Sequence, residues 1–402
     1  MRNVILLTID TLRRDVLGCY GCDKRTTPFI DSIQNQCIRF IHALSAGPYT
    51  QAGFPGILTS SYYLDYGYSK DKKFNPNRIL ISEPLHDQGI ITAGFHSNAY
   101  LCGYFGWNRG WDTFYDSMED EVTDEVPFIE ASVINNKVRA WLSNQKGKEK
   151  PFFLWVHYMD VHEPYIPKRE YLELIDPSIN INEDNMFALF KNVLLKRDVS
   201  NKETVELLRK LYLAGVRKTD DSVKELFDIL QRANILDETV VIFTSDHGDE
   251  FGEHGGLSHD GKMYSELVDV PLIIFDPPLS KGMTCDKLVS TLDVSPTILH
   301  LFGLDPVSKF QGCSLLPVED YPSKGVYGES VEKHGEKEKG DEKPVYFYRQ
   351  GDIKIIYREG NDTWEMYDLK EDPKEQNNLI NISPAAEELK KKLKPRVRRW
   401  EA

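Results

Sequence analysis

The chain has 402 residues, 41% hydrophobic and 28% charged, a balance that excludes a disordered or fibrous protein and leaves a globular one with a large core. That length suits one large domain with a smaller one attached. A net charge of −14 excludes a nucleic-acid partner, and the basic stretch Lys390–Arg399 reads as a solvated helix face.

The first predicted element is a strand over Val4–Ile9, an apolar run that ends on Asp10. It carries no signal-peptide cleavage site, and no run in the chain reaches the length of a membrane span. A cytoplasmic protein without a membrane segment is therefore expected. Cys19-x-x-Cys22 lacks the second pair that a zinc site needs. With Cys37, Cys102, Cys285 and Cys313 it makes no disulfide framework, so reduced, partly buried thiols are expected. Further strands are predicted at Ile90–Phe95, Phe152–His157, Val240–Thr244 and Pro271–Phe275. Between them the clearest helix covers Glu203–Ala233, where Leu208, Leu211, Val216, Val223, Phe227 and Leu230 recur at helical spacing. Apolar strands alternating with amphipathic helices predict an α/β fold, a mostly parallel sheet covered on both faces.

The texture changes after Pro317. Val331–Lys343 is charged and glycine-broken, the pattern of an exposed loop. PVYFYR and DIKIIYR read as a hairpin turning at Gln350-Gly351, and a last helix is predicted from Pro384 to Arg399. The expected division is a catalytic domain over 1–320 and a small C-terminal α+β subdomain over 321–402.

The stretch VVIFTSDHGDEFGEHG, from Val240, carries the chemistry. A buried strand stops at Asp246 and His247 and turns at Gly248, just as the first strand stops at Asp10. One carboxylate at a strand end is often only a helix cap. Two converging carboxylates with an imidazole suit one divalent cation, and Mg²⁺, Mn²⁺, Ca²⁺ and Zn²⁺ all remain open.

IDTLRRDVLGCYG, SDHGDEFGEHG, GKMYSELVDVPLIIF, STLDVSPTILHLFGL, FQGCSLLP and EMYDLKEDPKEQNNL resemble successive blocks of the sulfatase family, in the alkaline phosphatase superfamily. They occur in family order from Asn3 to about Leu379. The resemblance implies an α/β/α sandwich of alkaline phosphatase type with a small C-terminal subdomain. Family members place a nucleophile in Cys/Ser-x-Pro-x-Arg, ahead of Leu-Thr-Gly. Here GPYTQAGFPGILTS stands at that place: Thr50 takes the nucleophile position, Ala52 that of the proline and Phe54 that of the arginine. Threonine cannot become formylglycine, so none is expected; Tyr49 and Ser60 are the other hydroxyls to weigh. Threonine branches of the superfamily use the alkoxide directly, mostly on phosphate esters. A hydroxyl becomes a useful nucleophile when a bound cation lowers its pKa, so Thr50 is expected as a fourth ligand beside Asp10, Asp246 and His247.

The resemblance further implies Lys262 as the lysine that binds the transferring anion. It places Asn98, with His96 two residues before it, where sulfatases carry Lys-x-His. HYMDVHEPY resembles the family's His-x-Pro-Tyr element, which implies His162 as the histidine that touches substrate and protonates the leaving group, with His259 a second candidate for that acid. His157 reads as a core or supporting residue, and Glu253 and His254 as loop hydrogen-bonding groups. Asp160-Val-His162 has the wrong spacing for a second metal motif, which favours a single metal. The expected activity is hydrolysis of a small-molecule or glycan anionic ester through a covalent Thr50 intermediate, with phosphate or phosphonate favoured over sulfate. Its rivals are a phospho-group transferase to an alcohol, a formylglycine-independent sulfatase and an inactive binding protein.

Overall fold

Residues 2–66, 73–118, 120, 122, 126–145, 150–279, 281–333 and 342–397 are described by the structure, a computed structural model. Its strands in chain order are β1 (Asn3–Ile9), β2 (Cys37–Leu44), β3 (Ile91–Phe95), β4 (Thr113–Tyr115), β5 (Phe152–Tyr158), β6 (Thr239–Thr244), β7 (Glu250–Phe251), β8 (Leu257–Ser258), β9 (Leu272–Phe275), β10 (Met283–Ser290), β11 (Val326–Lys333), β12 (Glu342–Gln350), β13 (Ile353–Arg358) and β14 (Thr363–Asp368). β1 is apolar and buried from Val4 onward because it lies inside an eight-stranded sheet of order β10-β2-β9-β6-β1-β5-β3-β4. Neighbours pair in parallel except around β9, which runs antiparallel to both β6 and β2.

Successive residues of a strand face opposite ways, and β1 feeds two cores accordingly. Ile5, Leu7 and Ile9 pack with Leu211, Val223 and Leu230 of the helix Lys202–Arg232. Val4 and Leu6 pack on the other face with Phe54, Ile57 and Leu58 of the helix Thr50–Thr59. The predicted α/β/α layering is thus present. β2, β4 and β10 are additions to the expected strands, and β9, expected at Pro271–Phe275, breaks the parallel run.

β11–β14 form a separate antiparallel sheet, with the expected β12–β13 hairpin turning after Gln350. Val345 and Phe347 face Leu44, Met263 and Leu267, which seats this sheet against the large unit. Tyr346 and Tyr348 face Leu389 and Leu393 of the helix Ala386–Val397. The loop expected at Val331–Lys343 is narrower than predicted: β11 continues to Lys333 and pairs with β12 from Glu342, and 334–341 lie outside the described residues. The basic C-terminal helix is not wholly solvated either. Arg396 is buried, with Nε 2.8 Å from Glu329 and NH2 3.3 Å from Asp65. The six cysteines carry no disulfide, and no described helix is long and apolar enough to cross a membrane.

Asp160, weighed above for a second metal, has a structural task. Its Oδ2 accepts from Ala131 N at 2.7 Å, at the start of the helix Ala131–Asn144, and Oδ1 lies 2.9 Å from Lys218 Nζ. Asp160→Ala is expected to lower stability by about 2–3 kcal/mol, through the lost cap and the lysine left with Glu130 alone. Metal content measured on the folded variant should stay unchanged; a proportional loss of metal would return Asp160 to the ligand list.

Candidate active site

The carboxyl ends of β1, β5 and β6 are adjacent because those strands pair side by side, which is how an open sheet gathers side chains at one rim. Asp10 follows β1, His157 lies near the end of β5, and Asp246 and His247 follow β6. All are fully buried. Thr50 arrives from the other side as the first residue of its helix. That helix can approach only because position 53 is glycine: a Cβ there would lie 2.4 Å from Asp246 O.

Thr50 Oγ1 sits 3.4 Å from Asn98 Nδ2 and 3.5 Å from His247 Nε2. The same Asn98 amide donates to Asp10 Oδ2 at 2.8 Å. The alternative hydroxyls are elsewhere. Tyr49 Oη accepts from Val331 N, and Ser60, past the far end of the helix, accepts from Gly312 N. Phe54, at the expected arginine position, is edge-on to His157 with ring centroids 5.0 Å apart and also contacts Trp107 and Trp155. An aromatic pack therefore occupies the space of a guanidinium.

The oxygens facing Thr50 have the character of a cation site. Asp10 Oδ1 and both oxygens of Asp246 are buried without a hydrogen-bond partner among the described residues. Ligand atoms of Asp10, Asp246 and His247 lie within 4.8 Å of one another. Burial and the Asp10 charge push the Asp246 carboxyl well above its usual range, the response of a carboxylate left without a counter-charge. Asp10 is also opposed by burial, but the His157 hydrogen bond and nearby imidazoles hold it below the usual range. Burial, with His259 adding to it, lowers His247 to about 3. Its Nδ1 lies 2.9 Å from Gly248 O, which assigns the proton to Nδ1 and leaves a neutral Nε2 to act as a ligand. These residues fit one divalent cation.

Two imidazoles stand over this cluster. The His259 ring centroid is 4.4 Å from that of His247 and 5.2 Å from that of His162. Burial works against a charge on His259, but its 2.8 Å pair with Asp249 lifts it to about 9. His162 Nδ1 is held by Glu163 O at 2.6 Å. Lys262, expected to meet the anion, is engaged by its own loop: Nζ lies 2.8 Å from the buried Glu250 and 3.2 Å from His254 O. A buried carboxylate needs a counter-ion, and Lys262 supplies it. His96 is also apart from the cluster, because β3 ends at Phe95; it stacks on Trp155, with both ring nitrogens unpartnered among the described residues. His254 bonds Glu266 at 2.5 Å, and Glu253 pairs with Arg13 at 2.7 Å, so both support the loop.

Sequence reasoning passed over Asp249 and underused His157. Asp249 anchors His259 and accepts from Tyr165 Oη at 2.5 Å. It also forms a second candidate metal group with His247 and His259, but that group shares His247, and its carboxylate is already taken. His157 Nε2 is 3.2 Å from Asp10 Oδ2 while Nδ1 is 2.8 Å from Thr8 Oγ1, which in turn accepts from Trp155 Nε1 at 3.0 Å. This line of hydrogen bonds fixes the orientation of Asp10, as outer partners do for metal ligands. Asp249, three residues after Asp246 in SDHGDE, was the available signal; the Thr8–His157 contact crosses two strands and left none.

The model of the family described as Sulfatase matches residues 2–304, and one described as N-sulphoglucosamine sulphohydrolase, C-terminal, matches 252–402. The chain is 24% identical to the N-acetylglucosamine-6-O-sulfatase of Bacteroides thetaiotaomicron, across 96% of this chain and 84% of that one. Its fold is similar to the phosphonate monoester hydrolase of Agrobacterium radiobacter, with a TM-score of 0.82 at 17% identity over 99% of this chain and 96% of that one. It is likewise similar to a protein solved with its substrate D-glucosamine-2-N,6-O-disulfate, with a TM-score of 0.81 at 22% identity over 100% of this chain and 98% of that one. The match from residue 2 to residue 304 spans both strand ends and the helix that carries Thr50, and with it the chain belongs to the sulfatase family of the alkaline phosphatase superfamily, as an ester hydrolase of that family.

Proposed function

We propose that this family member hydrolyses phosphate or phosphonate esters through a covalent intermediate on Thr50, without formylglycine. The observation that carries the reading is the Thr50 hydroxyl at a helix N-terminus, between Asn98 and His247, where formylglycine enzymes have a convertible Cys or Ser. A divalent cation held by Asp10, Asp246, His247 and Thr50 would lower the pKa of the Thr50 hydroxyl and offset charge on the transferring group. The rest falls to the chain's own residues. Thr50 Oγ1, its proton already lost to solvent, attacks phosphorus, and the bond to the leaving oxygen breaks. Asn98 Nδ2 orients Oγ1, and the free N–H groups at the helix start favour the charge gathering there. His259, held protonated by Asp249, gives its proton to the departing alkoxide, with His162 beside it. Water then attacks phosphorus, the Thr50–O–P ester breaks, and His259 takes back a proton.

A sulfate ester handled directly by Thr50 is the second reading, favoured by sulfatase relatives such as the one from Bacteroides thetaiotaomicron. Rates on 4-nitrophenyl phosphate, a phenylphosphonate monoester and 4-nitrophenyl sulfate separate the two. We expect kcat/KM on a phosphorus ester at least tenfold above that on the sulfate, with free phosphate or phosphonate as product even when glycerol is present. A sulfate preference overturns the phosphoester reading, and phosphoglycerol as the main product turns the hydrolase into a transferase.

A further inference from the structure

Beside the nucleophile lies a cavity of about 260 Å³ that none of the steps above uses. Gln51, next after Thr50, forms part of its wall, as does Tyr100. Asn98 joins the two sites: its Nδ2 reaches Thr50 and Asp10, and its Oδ1 accepts from Tyr100 N at 2.9 Å. Tyr66, Phe74 and Trp107 add aromatic faces to the wall, and Arg78, a second cation, is already bonded to Ser61 and to the carbonyls of Tyr62 and Tyr63. Phe74 and Trp107 meet edge to face at 4.7 Å, so the wall is rigid.

Tyr100 is 44% exposed and Tyr104 is 73% exposed, although burial would stabilise both. Tyr100 is part of the wall and Tyr104 neighbours the lining Lys73, so an apolar face can dock here. The polar groups here are equally suggestive. Gln51's amide has no hydrogen-bond partner and Lys73's ammonium no ion pair among the described residues; Lys73 Nζ rests 5.3 Å from the Tyr104 ring centroid. In a chain of net charge −14, a cation that meets no carboxylate among the described residues is available to an anion at a cavity.

We propose that this cavity is a subsite for the organic part of the ester, taking one ring that has an apolar face and carries an acidic substituent. The ring lies against Tyr100 and Trp107, the acid meets Lys73, and Gln51 bonds the atoms next to the scissile oxygen. The volume admits a single ring and not an oligomer. The assignment rests on Thr50 being the attacking group, since it is Thr50 that puts the cavity beside the reacting phosphorus.

Titration calorimetry on the full-length, metal-loaded protein tests it with unreactive probes: 4-hydroxybenzoate (aromatic ring, acid), glucuronate (pyranose ring, acid), phenol (ring alone) and acetate (acid alone). At least one ring acid should bind tenfold or more tightly than phenol and acetate, and whichever binds identifies the ring as aryl or pyranose. Tyr100→Ala and Lys73→Gln, both at exposed positions, should each weaken that binding about tenfold. Acetate binding as well as the ring acids, neither ring acid binding, or both variants binding like the parent would each overturn the subsite. Ring-acid binding without turnover of any phosphorus ester keeps the subsite and removes the phosphoester reading; turnover without ring-acid binding does the reverse.

Discussion

Thr50→Ala is expected to reduce kcat by a factor on the order of 10⁴ or more, the scale seen when a covalent nucleophile is removed. The loss should come without unfolding. Thr50 is nearly buried, but its hydroxyl has only the long contacts to Asn98 and His247, so deleting it should move Tm by no more than about 3 °C. Thr50→Ser keeps a hydroxyl in the same place and should recover most of the rate, which a merely structural threonine would not require. Denaturing quench during turnover of a phosphate ester should trap one phosphoryl group on the peptide containing Thr50. A Thr50→Ala enzyme retaining more than a tenth of its activity would move the nucleophile elsewhere, with Tyr49 and Ser60 the next hydroxyls to test.

Asp246→Asn should act on metal and stability with opposite signs. In the metal-loaded protein one charged ligand is lost, so metal affinity should fall by more than about 100-fold, beyond what loss of an outer hydrogen bond alone produces. In chelator-treated protein the same change should stabilise by about 1–3 kcal/mol. The carboxylates of Asp10 and Asp246 are both fully buried, and the Asp246 oxygens have no hydrogen-bond partner among the described residues. The checks are metal stoichiometry after desalting and thermal unfolding with and without chelator. Unchanged stoichiometry, or a chelated variant less stable than the chelated parent, would mean that Asp246 is not there for a cation.

Much of the architecture was written in local patterns. β1, β5 and β6 are buried on both faces and so read as continuous apolar runs, and the helix Lys202–Arg232 carried a long periodic stripe. The strands that escaped notice fail that test for physical reasons. β4 has three residues, and β10 sits at the sheet edge, where Asp286 and Lys287 are tolerated because one side meets solvent. Asp10, Asp246 and His247 were legible because each ends an apolar run. Asn98 and Thr50 were singled out only through resemblance, since an amide in a loop and a hydroxyl at a helix start have innumerable bland uses. Lys262 exposes the limit of that route: its residue type fits a family role, but its contacts follow the buried charge of Glu250, which sequence order does not reveal.

Phe54 bears on how this site can change over time. On the reading proposed for Thr50, a route to a formylglycine site needs a convertible residue at position 50 and an arginine at position 54. The second step places a guanidinium among Trp107, Trp155 and His157, beside the ring that orients Asp10. An unpaired buried charge there costs several kcal/mol, comparable to the whole stability of many domains. The arginine step is therefore a loss even where the step at position 50 is not, whereas exchanges at the exposed rim around Tyr100 and Lys73 carry little structural penalty. The barrier to a formylglycine site on this chain therefore lies in the aromatic pack around position 54 and not at the nucleophile itself.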